Sequence, residues 1–160
     1  MDKVNISKEQ SVLLKCKLKG ITPLPVVAGL IEKDGKYLIA QRLTGNPSVV
    51  GRWEFPGGKI NDGESEKNAI EREIKEEFDL NIQGDKFICN VVHEYPGRII
   101  DLRLWHALVL DDHIDMDEKD HEAYKWVSLE EIGQFELCPA DQELYNIIVD
   151  KNWEKSKNIL

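Results

Sequence analysis

Glu73, Glu76 and Glu77 are the residues whose types and spacing most directly suggest chemistry. On a helix turning about 100° per residue, Ile70, Ile74 and Phe78 form one apolar stripe. The three carboxylates cluster on a neighbouring stripe at i, i+3 and i+4, with Ala69 beside them. Like charges at that spacing cost a few tenths of a kcal/mol per pair. Glu76 and Glu77 also fall in the last turn, where the helix dipole disfavours anions. Two readings account for them. One is a solvated acidic face partly offset by Arg72 and Lys75. The other is a carboxylate cluster whose repulsion is cancelled by divalent cations, with all-oxygen ligands that suit Mg²⁺ or Mn²⁺. Breaking local rules without evident compensation is typical of functional sites, but the helix alone does not decide between the two.

The elements that must position this helix follow from the flanking pattern. Ser65 can cap a helix running to about Phe78, ended by residues 79–81. Upstream, apolar runs at 26–31 and 37–40 are joined by the hairpin turn Lys33-Asp34-Gly35-Lys36. Residues 45–52 are loop-like, and Trp53-Glu54-Phe55-Pro56-Gly57-Gly58 reads as a short strand broken by a Pro-Gly-Gly turn. Downstream, residues 87–94 and 99–110 are β-rich and joined at Pro96-Gly97. An acidic loop at 111–120 leads to a strand at 124–127, and Ser128 caps one turn of helix. A last helix starts near Pro139-Ala140-Asp141 and carries Leu144, Ile147 and Ile148 at helical spacing. The pattern predicts an α/β sandwich, a mixed β-sheet covered by two main helices, over residues 23–160. Residues 1–22 read as an accessory arm, either a short helix from Ser7 or an added edge strand.

Composition bounds the function. A chain of 160 residues is one domain's worth. Thirty acidic against 21 basic residues give −9, which argues against a basic face for a nucleic-acid polymer. The first twenty residues hold five lysines against Asp2 and Glu9, a surplus of three, so the remainder carries −12. No apolar run approaches the roughly 20 residues of a membrane helix, and the start lacks the pattern of a secretory signal. Cys16, Cys89 and Cys138 are scattered, which fits reduced thiols and a cytoplasmic protein. No His-x-x-x-His zinc pair, calcium loop or P-loop is present.

Gly58-Lys59-Ile60-Asn61-Asp62-Gly63-Glu64, then seven residues, then Arg72-Glu73-Ile74-Lys75-Glu76-Glu77-Phe78-Asp79-Leu80 resembles the Nudix box, G-x5-E-x7-R-E-U-x-E-E-x-G-U with U apolar. Asp79 stands where the box has Gly, a left-handed cap position that Asp tolerates better than most residues. The stretches 26–31, Ala40-Gln41-Arg42, 51–60 and 139–141 resemble the MutT-like branch, which includes 8-oxo-dGTP and CTP pyrophosphohydrolases.

The resemblance implies the Nudix α/β/α sandwich and an Mg²⁺-dependent hydrolysis of a nucleoside triphosphate to monophosphate and pyrophosphate, cleaning the nucleotide pool. It implies Glu73, Glu76, Glu77 and the Gly57 carbonyl as metal ligands, with Glu73 also the candidate base. Glu122, with Glu118 second, is the candidate distal acid. Glu64 and Arg72 are expected to pair structurally beside Gly58. Arg42, Phe55, Lys59, Arg98 and Asp141 are the candidate substrate contacts. An ionised Asp141 only accepts hydrogen bonds, which would favour an exocyclic amine such as cytosine N4. The partner is then a small nucleotide, and the protein a monomer or homodimer. Alternatives are hydrolysis of a dinucleotide-type substrate such as ADP-ribose, or a non-catalytic nucleotide-binding regulator.

Overall fold

The computed structural model describes residues 7–156. Its strands are β1 (Leu24–Lys33), β2 (Lys36–Arg42), β3 (Trp53–Glu54), β4 (Gly57–Lys59), β5 (Ile82–Tyr95), β6 (Arg98–Val109) and β7 (His121–Val127). Its helices are α1 (Lys8–Lys19), α2 (Glu66–Phe78), α3 (Leu129–Ile132), α4 (Pro139–Asp150) and α5 (Trp153–Ser156). The sheet runs β3-β2-β1-β6-β5, with β4 added to β1 and β7 to β2. Only β1 and β6 pair in parallel, so the sheet is mixed.

The continuous apolar runs of β1 and β2 follow from a sheet buried on both faces. Val27, Ile31, Leu38 and Ala40 join Ile70, Ile74 and Phe78 of α2 in one core. Ala28, Leu30, Tyr37 and Ile39 point the other way, into a core closed by Leu144 and Ile148 of α4 and Trp153 of α5. Ile70, Ile74 and Phe78 are fully buried, worth about 1.5–3 kcal/mol each. That exceeds by far the tenths lost to repulsion among the glutamates. Packing therefore holds α2 together with its carboxylates in place.

The turn between β1 and β2 has positive φ at both Asp34 (51°) and Gly35 (75°), the primed geometry that matches strand twist. Among the described residues the arm forms helix α1, not an edge strand, and its residues 1–6 lie outside those described. Ser7 and Gln10 form a capping box, and Val12 and Cys16 pack on Val92 and Ile99 of the sheet. β5 begins at Ile82, earlier than the 87 expected, because bulges between Gly84 and Lys86 and between Phe87 and Cys89 break the alternation a sequence pattern depends on. β7 likewise begins at His121.

Candidate active site

Two glycines bring the Nudix-box loop onto the helix. A Cβ on Gly57 would lie 1.9 Å from the Val27 carbonyl oxygen, and one on Gly58 would lie 2.3 Å from Glu73 Cδ. Only glycine at 57 permits β4 to lie this close to the β1 backbone, and a side chain at 58 would displace the Glu73 carboxylate.

Arg72 ties the loop to α2. Its Nε and Nη2 donate to the two oxygens of Glu64 at 2.7 and 2.9 Å, and Nη2 also donates to the Lys59 carbonyl at 2.9 Å. Nη1 reaches Glu73 Oε1 at 3.0 Å and Glu76 Oε2 at 3.2 Å. The Glu64 carboxyl is held below its ordinary range first by Arg72 and then by the Asn61 N–H. The expected Glu64–Arg72 pair is therefore the clasp of the box.

The three helix carboxylates differ in surroundings. Glu76 is exposed. Glu73 is half-buried, and its pKa is raised chiefly by burial despite the Arg72 contact. Glu77 is pushed up to about 9, first by burial, then by the negative charges of Glu54, Glu73 and Asp120. Its Oε2 is buried without a hydrogen-bond partner. Among the described residues no three His, Cys, Asp or Glu side chains converge on one ion-sized point, since Arg72 occupies the Glu73 and Glu76 oxygens. The donor set still fits a hard divalent cation: an orphaned buried oxygen facing further carboxylates lacks a positive charge.

Glu77 opens into a cleft of about 450 Å³. Glu77, Asp120, Gly57, Gly58 and Lys59 line it together with the apolar side chains of Val26, Phe55, Tyr95, Ile100 and Leu102. Asp141, and Arg98 at the start of β6, also border it. Arg42 lies at the cleft with Nη1 3.1 Å from Glu54 Oε1.

Glu122 is not in the cleft. Side chains alternate along β7, so buried His121 points inward and Glu122 faces solvent. Glu118 is exposed and also off the cleft wall. Asp120, exposed just before the strand, borders the cleft instead, and its carboxylate accepts from the Thr44 hydroxyl at 2.9 Å.

Asp141 is buried, Oδ1 accepts the Phe55 N–H at 2.9 Å, and burial followed by the Glu54 charge raises its pKa well above the ordinary value. Burial and the Glu54 charge both work against the ionised acceptor expected there. Glu54, Tyr95 and His121 also line the cleft. Glu54 was legible in principle, one residue before Phe55 in a short strand facing the box, whereas His121 is reached only through the register of β7 on β2.

A family profile described as NUDIX domain matches residues 26–146. The CTP pyrophosphohydrolase of Escherichia coli (strain K12) is 41% identical over 118 residues, 74% of this chain and 85% of its own length. The 8-oxo-dGTP diphosphatase of the same organism is 28% identical over 119 residues, 74% of this chain and 91% of its own. The solution structure of the E. coli ORF135 protein superposes with a TM-score of 0.69 at 36% identity, covering 82% of this chain and 92% of that one. The chain belongs to the NUDIX domain family and is a Nudix hydrolase of MutT-like type.

Proposed function

We propose that the protein hydrolyses a nucleoside triphosphate, either CTP-like or an oxidised deoxynucleotide, to the monophosphate and pyrophosphate with Mg²⁺, and that Mn²⁺ can substitute. The observation that carries this reading is one cleft lined both by Glu77, whose Oε2 is buried without a hydrogen-bond partner, and by apolar side chains with Asp141. A polyphosphate and a cluster of carboxylates repel each other, so they share a cleft only with cations between them. Glu73, Glu76, Glu77 and the Gly57 carbonyl would hold the metal, which when bound neutralises phosphate charge and lowers the pKa of water.

The chain's own groups supply the rest. The apolar walls and Phe55 seat the base, with Asp141 beside Phe55 as its polar contact. Arg42, Lys59 and Arg98 provide positive charge along the phosphate and ribose path. Glu73, within reach of the box turn, is the candidate to accept the proton of the attacking water. The relatives named for CTP and for 8-oxo-dGTP support a substrate in this range. Nucleotide-pool cleaning in the cytoplasm would be the corresponding role.

The test is a nucleotide panel with Mg²⁺ and chromatographic identification of products. Monophosphate with pyrophosphate is expected, whereas AMP with ribose phosphate from ADP-ribose would overturn the substrate class. Glu76→Gln, exposed and outside the core, should fold normally and lose at least about 100-fold in kcat. Near-normal activity would remove Glu76 from the metal set.

A further inference from the structure

Glu54 lines the cleft together with Glu77 and Asp141. Its charge bears on both, disfavouring their ionisation. The Glu54 side chain is only 13% exposed. Charge-assisted hydrogen bonds to its oxygens fix the rotamer that such a carboxylate keeps.

Two donors do so. Arg42 Nη1 lies 3.1 and 3.4 Å from the two Glu54 oxygens, but Arg42 is a partly exposed candidate substrate contact. His121 Nε2 lies 2.8 Å from Glu54 Oε2, and since an ionised carboxylate only accepts, Nε2 carries the hydrogen. The His121 side chain is 2% exposed. Its ring is stacked on Phe78 with centroids 5.6 Å apart and planes at 29°. Phe78 directly follows Glu77, so the turn of α2 that carries the orphaned carboxylate also fixes the imidazole. A β-bulge between Gln41 and Arg42 sets Arg42 opposite His121 across β2 and β7, which aims both donors at one acid. A phenylalanine would fill this stacked, buried place as well as histidine does. The hydrogen bond to Glu54 is what histidine adds.

We propose that His121 is a positioning residue for the hydrolysis: its Nε2–H holds the Glu54 carboxylate on the cleft wall that it shares with Glu77 and Asp141, in the rotamer that turnover uses. The proposal rests on the hydrolase reading above. The Glu54 charge acts on both Glu77 and Asp141, so its displacement would change the field at both.

The experiment compares His121→Phe, which keeps the stack and removes the donor, with His121→Gln, which restores an N–H at the same reach. Both are assayed on a nucleotide that the unmodified chain hydrolyses, with thermal unfolding run alongside. His121→Phe should fold and lose about 10- to 100-fold in kcat, with little change in KM. His121→Gln should recover most of that loss. In a Glu54→Ala background, His121→Phe should add nothing further, because both changes remove one interaction. A folded His121→Phe at full kcat, a His121→Gln as slow as His121→Phe, or losses that multiply in the double variant would each overturn the proposal. If His121→Phe does not fold, the ¹⁵N spectrum of the His121 imidazole in the unmodified chain decides: a protonated Nε2 that shifts on Glu54→Ala supports the proposal, and a bare Nε2 refutes it. If the unmodified chain hydrolyses no nucleotide, the hydrolase reading fails and takes the proposal with it. Turnover that is indifferent to His121 defeats the proposal alone.

Discussion

Glu77 is the residue at which stability and function conflict most directly. Its pKa, raised to about 9, means that the fold without metal favours the protonated carboxyl. The stability this contributes is complete below the ordinary carboxylate pKa of about 4.5 and is lost as pH rises through about 9. Glu77→Gln removes the titration while keeping the shape. In EDTA the variant should melt above the unmodified protein at pH 8, by roughly 2–4 °C for each kcal/mol relieved, with the gap closing towards pH 5. Its turnover should fall at least about 100-fold. A metal-free melting curve indifferent to this substitution at pH 8 would contradict the buried, charge-starved environment of Glu77. At this scale the sequence showed which carboxylates cluster. It did not show that Glu76 is open to solvent while Glu77 is partly buried with its Oε2 unpartnered, because that difference comes from what packs over each residue.

α2 is the element in which the sequence was most legible. Ser65 caps it, Ile70, Ile74 and Phe78 face the core as their spacing requires, and Asp79 ends it in the left-handed conformation with φ 50°. Lys75 and His113 hold Asp79 at 2.7 and 2.9 Å, but both pairs are about half or more exposed and contribute little. Asp79→Gly would remove the left-handed strain at the expense of greater freedom in the unfolded chain. The net change should be stabilising by no more than about 1 kcal/mol, read as a small rise in melting temperature with kcat unchanged. A large fall in stability would show that the Lys75 and His113 contacts outweigh the cap. Strand β7 was less legible. Placing Glu122 in the site required knowing which side of the strand faces the cleft, and a strand's facing is set by its register on β2, where the bulge at Gln41 and Arg42 shifts the count by one.

For the whole molecule, the surplus of acidic residues becomes a statement about ligands. Part of the −9 lies in the cleft, where it raises the pKa values of Glu77 and Asp141. Mg²⁺ binding to the native state should raise the melting temperature by mass action. Because the ion must displace the Glu77 proton, the rise should grow between pH 6 and pH 9. In Glu77→Gln the rise should be smaller and lose most of its pH dependence. A rise that is equal in the two proteins at every pH would place the cation elsewhere.

Periodicity and turn chemistry are local properties, and from them the sequence by itself determined the α/β class, the box helix with its caps and the hairpin at Asp34 and Gly35, while the Arg72–Glu64 clasp followed from the resemblance to the Nudix box. The tertiary structure decided what depends on distant segments meeting. Asp120 rather than Glu122 faces the cleft, Asp141 is buried against the Phe55 backbone, and His121 and Arg42 converge on Glu54. A residue's type and spacing fix what it can do on its own element. Its burial, and therefore its charge and its partner, are fixed by the element that packs against it.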